Sequence, residues 1–140
     1  GTREVAFLTA VPCPNTRIDG LLAEVPGGDW DALDAREWAY IRQPAEPGRA
    51  AQIYHIPSDL HAAPSRTHPI LLSYLDVVVQ GYLAEFGIAG VERFFTTTDG
   101  WEAPILDDRN APRYPRAQAL SRSETTLVDA MLSGVGAKVT

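Results

Sequence analysis

Glu37 has the most unusual setting of any reactive residue in these 140 residues. It follows a short helix predicted over about Trp30 to Arg36. Asp29 is a suitable N-cap for that helix, because its carboxylate can accept from unpaired backbone N–H groups. Trp30, Leu33 and Glu37 then fall at i, i+3 and i+7, on one face. A carboxylate sharing a stripe with Trp and Leu is pushed toward apolar surroundings, which disfavour its charged form. The negative end of the helix dipole acts in the same direction. A group that holds its proton tightly suits a general base that must later return it. The other reading ends the helix at Arg36 and leaves Glu37 a solvated carboxylate at the start of a strand, as most acidic residues are exposed. Pattern alone leaves both open.

The other chemistry-bearing residues offer less. His55, His61 and His68 are spaced by six and seven, which matches neither a helical i, i+4 pair nor a zinc-finger pattern, so they read as surface-loop histidines and no metal site is expected. Cys13, between Pro12 and Pro14, has no basic neighbour in sequence to activate it and reads as inert. Asp107 and Asp108 are adjacent on an extended segment and face opposite ways, so they do not converge on one atom. They read as ion-pair partners of nearby arginines, while Arg113 or Arg116 could instead hold a substrate carboxylate bidentately. No phosphate-cradling glycine loop and no supportable Ser-His-Asp arrangement competes.

The elements that must position Glu37 follow from pattern. Glu4 to Val11 and Arg17 to Val25 read as strands, the second closed by the Pro26-Gly27-Gly28 turn. Trp38 to Pro44 is a third, with Trp38, Tyr40 and Arg42 on one side. Glu46-Pro47-Gly48 marks a hairpin turn that returns through Ala50 to Ile56. These strands predict a small mixed or antiparallel sheet curling toward a barrel. A long helix over 68–86 opens at His68-Pro69 and carries the stripe Leu71, Leu75, Val78, Tyr82 and Phe86. Gly87 stops it, and a shorter helix with Ile88, Val91, Phe94 and Phe95 inward follows. The stretch 99–119 is long and irregular but holds Trp101, Ile105, Leu106 and Tyr114, enough apolar area to order it across the body. Ser121 and Glu124 form a capping box for a last helix that packs through Leu127, Val128 or Met131, and Leu132 and ends at Gly134. The tail beyond is expected to be loose.

The strand, the Pro-Gly turn, the short helix with Leu33-Asp34-Ala35-Arg36-Glu37, and then Tyr40 and Arg42 together resemble the central segment of the gamma-glutamylcyclotransferase-like family. The likeness continues through the hairpin to about Ile56, and the 68–86 helix and tail resemble a bacterial branch. The resemblance implies an α+β fold: a barrel-like sheet with a long helix packed on it and a C-terminal helix. It implies that Glu37 is the catalytic acid/base, with Tyr40 and Arg42 as substrate-binding candidates. The implied reaction is attack of a gamma-glutamyl α-amine on its own γ-carbonyl, releasing 5-oxoproline and an amine or amino acid without cofactor or metal. Two departures stand out. Trp38-Ala39 occupies the place where many relatives have glycines. The Tyr-Gly-Ser type loop whose N–H groups hold the substrate is not in these 140 residues, so the expectation is one domain over 1–140, incomplete at its N-terminus.

Composition bounds the alternatives. A hydrophobic content of 45% and a charged content of 21% suit one soluble domain with a real core. A net charge of −6 argues against nucleic acid or an anionic membrane as partner. Lone Cys13 permits no intrachain disulfide, which fits a reducing cytoplasm. The rival to the enzyme is a non-catalytic small-molecule-binding module on the same fold, or an interaction module docking a protein through Pro104 to Arg116.

Overall fold

The computed structural model describes residues 5–140, which form two compact units. The larger comprises residues 5–7, 16–19 and 63–140, and the smaller comprises residues 8–15 and 20–62.

The larger unit is built on two helices, α2 (Leu72–Thr97) and α3 (Arg122–Gly134), and on a parallel pair of two-residue strands, β3 (Ile70–Leu71) and β4 (Ile105–Leu106). Ile70 lies opposite Ile105 and Leu71 opposite Leu106. The end of the chain adds to the same ladder. Val139 bridges Ile105 in parallel, the Thr140 N–H donates to the Ile105 carbonyl at 2.9 Å and the Asp107 N–H to the Thr140 carbonyl at 3.0 Å. The tail expected to be loose is therefore tied down, because β4 had backbone groups to satisfy on its second edge. The same ladder corrects the start of the long helix. Ile70 and Leu71 are extended, with the Ile70 N–H donating to the Pro104 carbonyl at 3.0 Å, so the helix begins at Leu72 and not at His68-Pro69.

Leu72, Leu75 and Val79 from α2 meet Val91, Phe94, Phe95, Ile105, Val128 and Leu132 in one core. Each such side chain contributes about 1.5–3 kcal/mol on burial. Trp101 stacks on Phe95 at 4.6 Å and its indole N–H donates to the Phe95 carbonyl at 3.1 Å. Tyr114 meets Tyr74 edge-on at 5.1 Å. The 99–119 stretch thus packs as expected, and β4 gives it a short strand that the pattern did not reveal. The α3 capping box forms on both sides: the Glu124 N–H donates to Ser121 Oγ and the Ser121 N–H to Glu124 Oε2.

Within α2, Gly87 sits at φ 68, ψ −171, a region essentially reserved for glycine, and it breaks the helix where the sequence placed a stop. The second half turns Val91, Phe94 and Phe95 inward. Ile88, expected beside them, is 58% exposed, because the residue next to the break lies on the outer side. Gly90 is buried one turn on, where an added Cβ would run into Phe86.

α2 lacks a cap of its own. Leu71 occupies the N-cap position and offers no side-chain acceptor. Asp108, only 6% exposed, reaches across from the loop after β4. Its Oδ1 accepts from the Ser73 N–H at 2.8 Å, and its Oδ2 from Ser73 Oγ at 2.6 Å and the Arg113 N–H at 2.8 Å. This corrects the expectation that Asp107 and Asp108 pair with arginines. Asp107 accepts the backbone N–H of Arg109 at 3.2 Å. The Arg109 side chain instead spans Asp76 and Asp129. Burial alone would raise the Asp108 carboxyl. The hydrogen bonds donated by Ser73 and Arg113 outweigh it and hold the group below the usual aspartate range.

The smaller unit contains a 3-10 turn at Pro26–Gly28, helix α1 (Trp30–Arg36), a second 3-10 turn at Ser58–Leu60, and the antiparallel hairpin of β1 (Ile41–Pro44) and β2 (Gln52–His55). The Asp29 carboxylate caps α1, accepting from the Ala32 N–H at 3.0 Å. The hairpin closes around Glu46–Arg49, with the Ala45 N–H donating to the Ala51 carbonyl at 2.9 Å. β1 starts three residues later than expected, since the chain turns at 38–40, where the Tyr40 N–H donates to the Glu37 carbonyl at 2.8 Å. Neither predicted N-terminal strand forms. Glu4 lies outside the described residues, and 5–25 contains no strand. Val11, Ile18, Leu21 and Leu22 of that stretch stay exposed and none of its residues is fully buried, so no buried face selects a register for them. The described strands make two separate two-stranded sheets, neither closed, where a barrel-like sheet was expected. The α+β class holds. The sheet against which α2 packs is the β3–β4 pair.

Two stability outcomes follow from the larger unit. Gly90→Ala forces Phe86 or the helix to shift and should lower the denaturation free energy by about 1–3 kcal/mol. Gly81→Ala, where an added Cβ meets nothing, should be neutral or stabilising by up to about 1 kcal/mol. Urea midpoints of both variants at constant m-value check this. A depressed carboxyl such as Asp108 contributes stability that is fully present above the unfolded aspartate value of 3.8 and is lost as pH falls through the folded value. Asp108→Asn should therefore cost about 1–3 kcal/mol at pH 7, with the gap to the parent protein narrowing below about pH 4. A gap that is equal at pH 7 and pH 3 in urea titrations would refute the role given to the charge.

Candidate functional site

The α1 helix ends at Arg36, and Glu37 is its C-cap, its N–H donating to the Leu33 carbonyl at 2.9 Å. The Glu37 side chain is 27% exposed and its Oε1 accepts from the Arg36 guanidinium at 3.0 Å. The apolar burial expected from the Trp30–Leu33 stripe is thus only partial. One turn earlier stands Asp34, which sequence reasoning quoted only as part of a motif. Arg42 on β1 grips it with a fork, Nε to Oδ1 at 2.9 Å and one terminal nitrogen to Oδ2 at 3.0 Å. The Tyr54 hydroxyl on β2 donates to the same Oδ1 at 2.5 Å. The flat face of Arg42 lies over the Trp30 ring, 4.5 Å from its centre, a cation–π contact.

The electrostatics follow from these contacts. The Arg42 hydrogen bond and then the Tyr54 hydroxyl hold the Asp34 carboxyl below the usual carboxylate range, while Asp34 holds the Arg42 guanidinium firmly protonated. Tyr40 is raised by burial and by the negative charge of Glu37. Tyr54 is raised by burial, then by its bond to Asp34, with a smaller push from Glu37. Both phenols are therefore neutral at physiological pH and act as donors. Tyr40 gives its hydroxyl hydrogen to the Leu8 carbonyl at 2.9 Å. Glu37 Oε2 accepts no hydrogen bond among the described residues, which leaves one carboxylate oxygen open to a proton on a bound molecule.

Of the three residues picked from sequence, Glu37 and Tyr40 interact closely enough for the charge of one to shift the other. Arg42 is committed to Asp34. Its partners Asp34, Tyr54 and Trp30 went unnoticed as a group, although one signal was there. A hairpin turning around Glu46-Pro47-Gly48 puts Tyr54 opposite Arg42, as the register shows, and opposite charges at 34 and 42 flank Glu37.

The histidines do not converge. His61 Nε2 lies 2.8 Å from the Ile56 carbonyl and His68 Nδ1 lies 3.1 Å from Thr67 Oγ1. His55 departs from the loop reading: it lies on β2, and its Nε2 is buried with no hydrogen-bond partner. No group of three or more residues able to hold a metal ion occurs among the described residues. Cys13 is exposed.

A second polar constellation lies in the larger unit. Arg109 donates two hydrogen bonds to Asp76, at 2.8 and 2.7 Å, and one to Asp129 at 2.8 Å. The bonds to Asp76 and then Asp129 hold its guanidinium protonated. Arg109 and Asp76, with Ser73, Gln118 and Thr125, line a half-open cleft of about 180 Å³. Its buried charges satisfy one another, so it reads as a structural brace between α2, α3 and the loop after β4. The side chains of Arg113 and Arg116 enter no ion pair among the described residues.

No helix among the described residues is long and apolar enough to cross a membrane. Compared with protein-family models, with curated proteins and with solved structures, the chain matches none.

Proposed function

We propose that the Glu37 site cleaves a gamma-glutamyl amine or amino acid to 5-oxoproline and free amine, with Glu37 as general acid/base. The observation that carries this reading is one carboxylate, with an oxygen that accepts no hydrogen bond among the described residues, near enough to two neutral phenols to shift both, on a loop fastened at both ends. The resemblance of Leu33 to Arg42 to gamma-glutamylcyclotransferase-like proteins supplies the reaction class. The chemistry asks little of a protein, which is why a single carboxylate suffices. Closing a five-membered ring gains much from proximity alone, with effective molarities of ~10⁵ M or more for well-oriented groups.

In the proposed sequence Glu37 Oε2 takes a proton from the substrate α-ammonium. The freed amine attacks the γ-carbonyl carbon, forming the ring C–N bond and an oxyanion. Collapse of the oxyanion breaks the bond to the leaving nitrogen, which receives the proton from Glu37. The ring nitrogen releases its second proton to water, and the free amine takes one up from water. Oxyanion donors would be backbone N–H groups. In the family they come from a Tyr-Gly-Ser type loop on a further strand of a barrel-like sheet, and the reading carries that strand and loop with it. A cytoplasmic location, with its supply of small gamma-glutamyl compounds, fits the same reading.

A second reading is favoured by one observation. None of residues 5–68 is buried, and Leu21, Leu22, Trp38 and Leu60 are each more than 60% exposed. Apolar surface of this kind suits an interaction module.

Glu37→Gln separates the two. It keeps size and shape while removing the ability to take a proton. On the enzyme reading 5-oxoproline release from a panel of gamma-glutamyl dipeptides falls by ~10²–10⁴-fold. The melting temperature should stay within a degree or two, since a surface substitution away from special features shifts stability by less than about 0.5 kcal/mol. Equal turnover in the Gln variant would remove Glu37 from the role of base, and no turnover by the parent protein would remove the activity.

A further inference from the structure

We propose that Asp34 is the positioning residue of this site: its clasp with Arg42 closes the stretch of chain that carries Glu37 and so fixes where the carboxylate stands. The inference rests on the reading of Glu37 as the base and adds what places it.

α1 has seven residues, far fewer than a helix needs to persist in water by itself. No fully buried side chain anchors it: Trp30, Leu33 and Asp34 are only half-buried. The Asp29 cap fixes only its start. What ties its C-terminal half to the hairpin is Arg42, which bonds Asp34 through both nitrogens of a planar fork and covers Trp30, one turn earlier, with its face. Residues at i and i+4 stand above one another on a helix, so one guanidinium grips α1 at two points of the same side. Arg42 is itself held in the β1–β2 ladder opposite Tyr54, whose hydroxyl supplies the third bond to Asp34.

The chain between the two ends of the clasp has little freedom left. The Glu37 N–H is bonded back to Leu33 and the Glu37 carbonyl accepts from the Tyr40 N–H. With 34 and 42 joined, the backbone of Glu37 is set, and only its side-chain torsions remain. The clasp also settles which carboxylate does which task. Both Asp34 oxygens are engaged by Arg42 and one also by Tyr54, so Asp34 is the anchor and Glu37, whose Oε2 accepts nothing among the described residues, is the group that meets a ligand. The fork geometry makes lysine a poor substitute at 42, since an ammonium cannot bond both oxygens in that plane.

Asp34→Asn preserves volume and turns one arm of the clasp into a donor facing a donor. Amide hydrogen exchange and steady-state kinetics with γ-glutamyl-alanine as probe test the proposal on the whole chain. The Glu37 and Tyr40 amides should exchange at least ~10-fold faster while those of Val128 and Leu132 in α3 stay unchanged. The kcat should fall by ~10–10²-fold with KM little altered, because misplacing a base by about 1 Å acts on the chemical step. Tyr54→Phe, which removes only one bond to Asp34, should move both readouts in the same direction by less and remains informative if the Asn variant does not fold. Arg42→Lys should not restore the protection. Unchanged exchange at Glu37 and Tyr40 overturns the clasp, and faster exchange with unchanged kcat overturns its positioning role. If the parent protein releases no 5-oxoproline from any gamma-glutamyl dipeptide, the base reading fails, and the exchange result then decides the clasp by itself.

Discussion

The carboxylate of Asp108 is the contact on which the larger unit depends. α2 is the longest element of the protein, and its first turn carries N–H groups that no residue of its own N-terminus can satisfy. A helix N-terminus left bare inside a fold is costly. The acceptor comes from 35 residues further along the chain, where Asp108 bonds both the backbone and the hydroxyl of Ser73. The negative charge sits at the positive end of the helix dipole, where it is favoured. Because the same oxygen that accepts from Ser73 Oγ also accepts from Arg113, the loop after β4 is drawn down over α2. That brings Ile105 into the core and places β4 beside β3. Arg109, the next residue, extends the tie to α3 through Asp129.

The two units are held by different physics. In the larger one, apolar side chains from both helices and β4 are shielded from water, and polar contacts decide the arrangement of elements already driven together. The smaller unit has no buried residue among 8–15 and 20–62. Its order comes from caps, a hairpin ladder and the network around Arg42. Charge pairs that reach solvent are weak singly and are screened by salt. One guanidinium holds a carboxylate and covers an indole ring, and a phenol bonds the same carboxylate, so the entropy lost in fixing Arg42 and Asp34 is shared among the contacts. A loop fastened in this way presents a carboxylate to solvent at a fixed place without a buried core.

The chemistry proposed for Glu37 needs a defined place more than an extreme environment. An intramolecular cyclisation brings its own nucleophile and electrophile, and the protein supplies proton transfer and oxyanion stabilisation. A partly exposed glutamate with one oxygen engaged and one open can serve the first task.

Much of this molecule is legible in local sequence. The Asp29 cap, the Trp30–Arg36 helix, the turn at Glu46-Pro47-Gly48, the break at Gly87 and the Ser121/Glu124 capping box all form as read. Each depends on residues within a few positions of one another, where backbone preference and short-range hydrogen bonding decide. Glu37 was legible as a candidate for the same reason. What failed involved partners distant in sequence. The stretches 5–11 and 17–25 have strand-like alternation, but a strand exists only when another pairs with it, and none does. Leu71 opens a helical stripe, yet pairing with β4 makes Ile70 and Leu71 extended. Asp108 looked like a surface ion-pair partner because nothing nearby in sequence announces the uncapped helix it serves. The Asp34–Arg42–Tyr54 clasp needed the hairpin register before its members could be seen as one group. Sequence by itself determined the short-range elements and the candidate carboxylate. Tertiary structure alone decided which carboxylates are anchors and which one is left open, because that depends on what long-range folding brings within hydrogen-bonding distance.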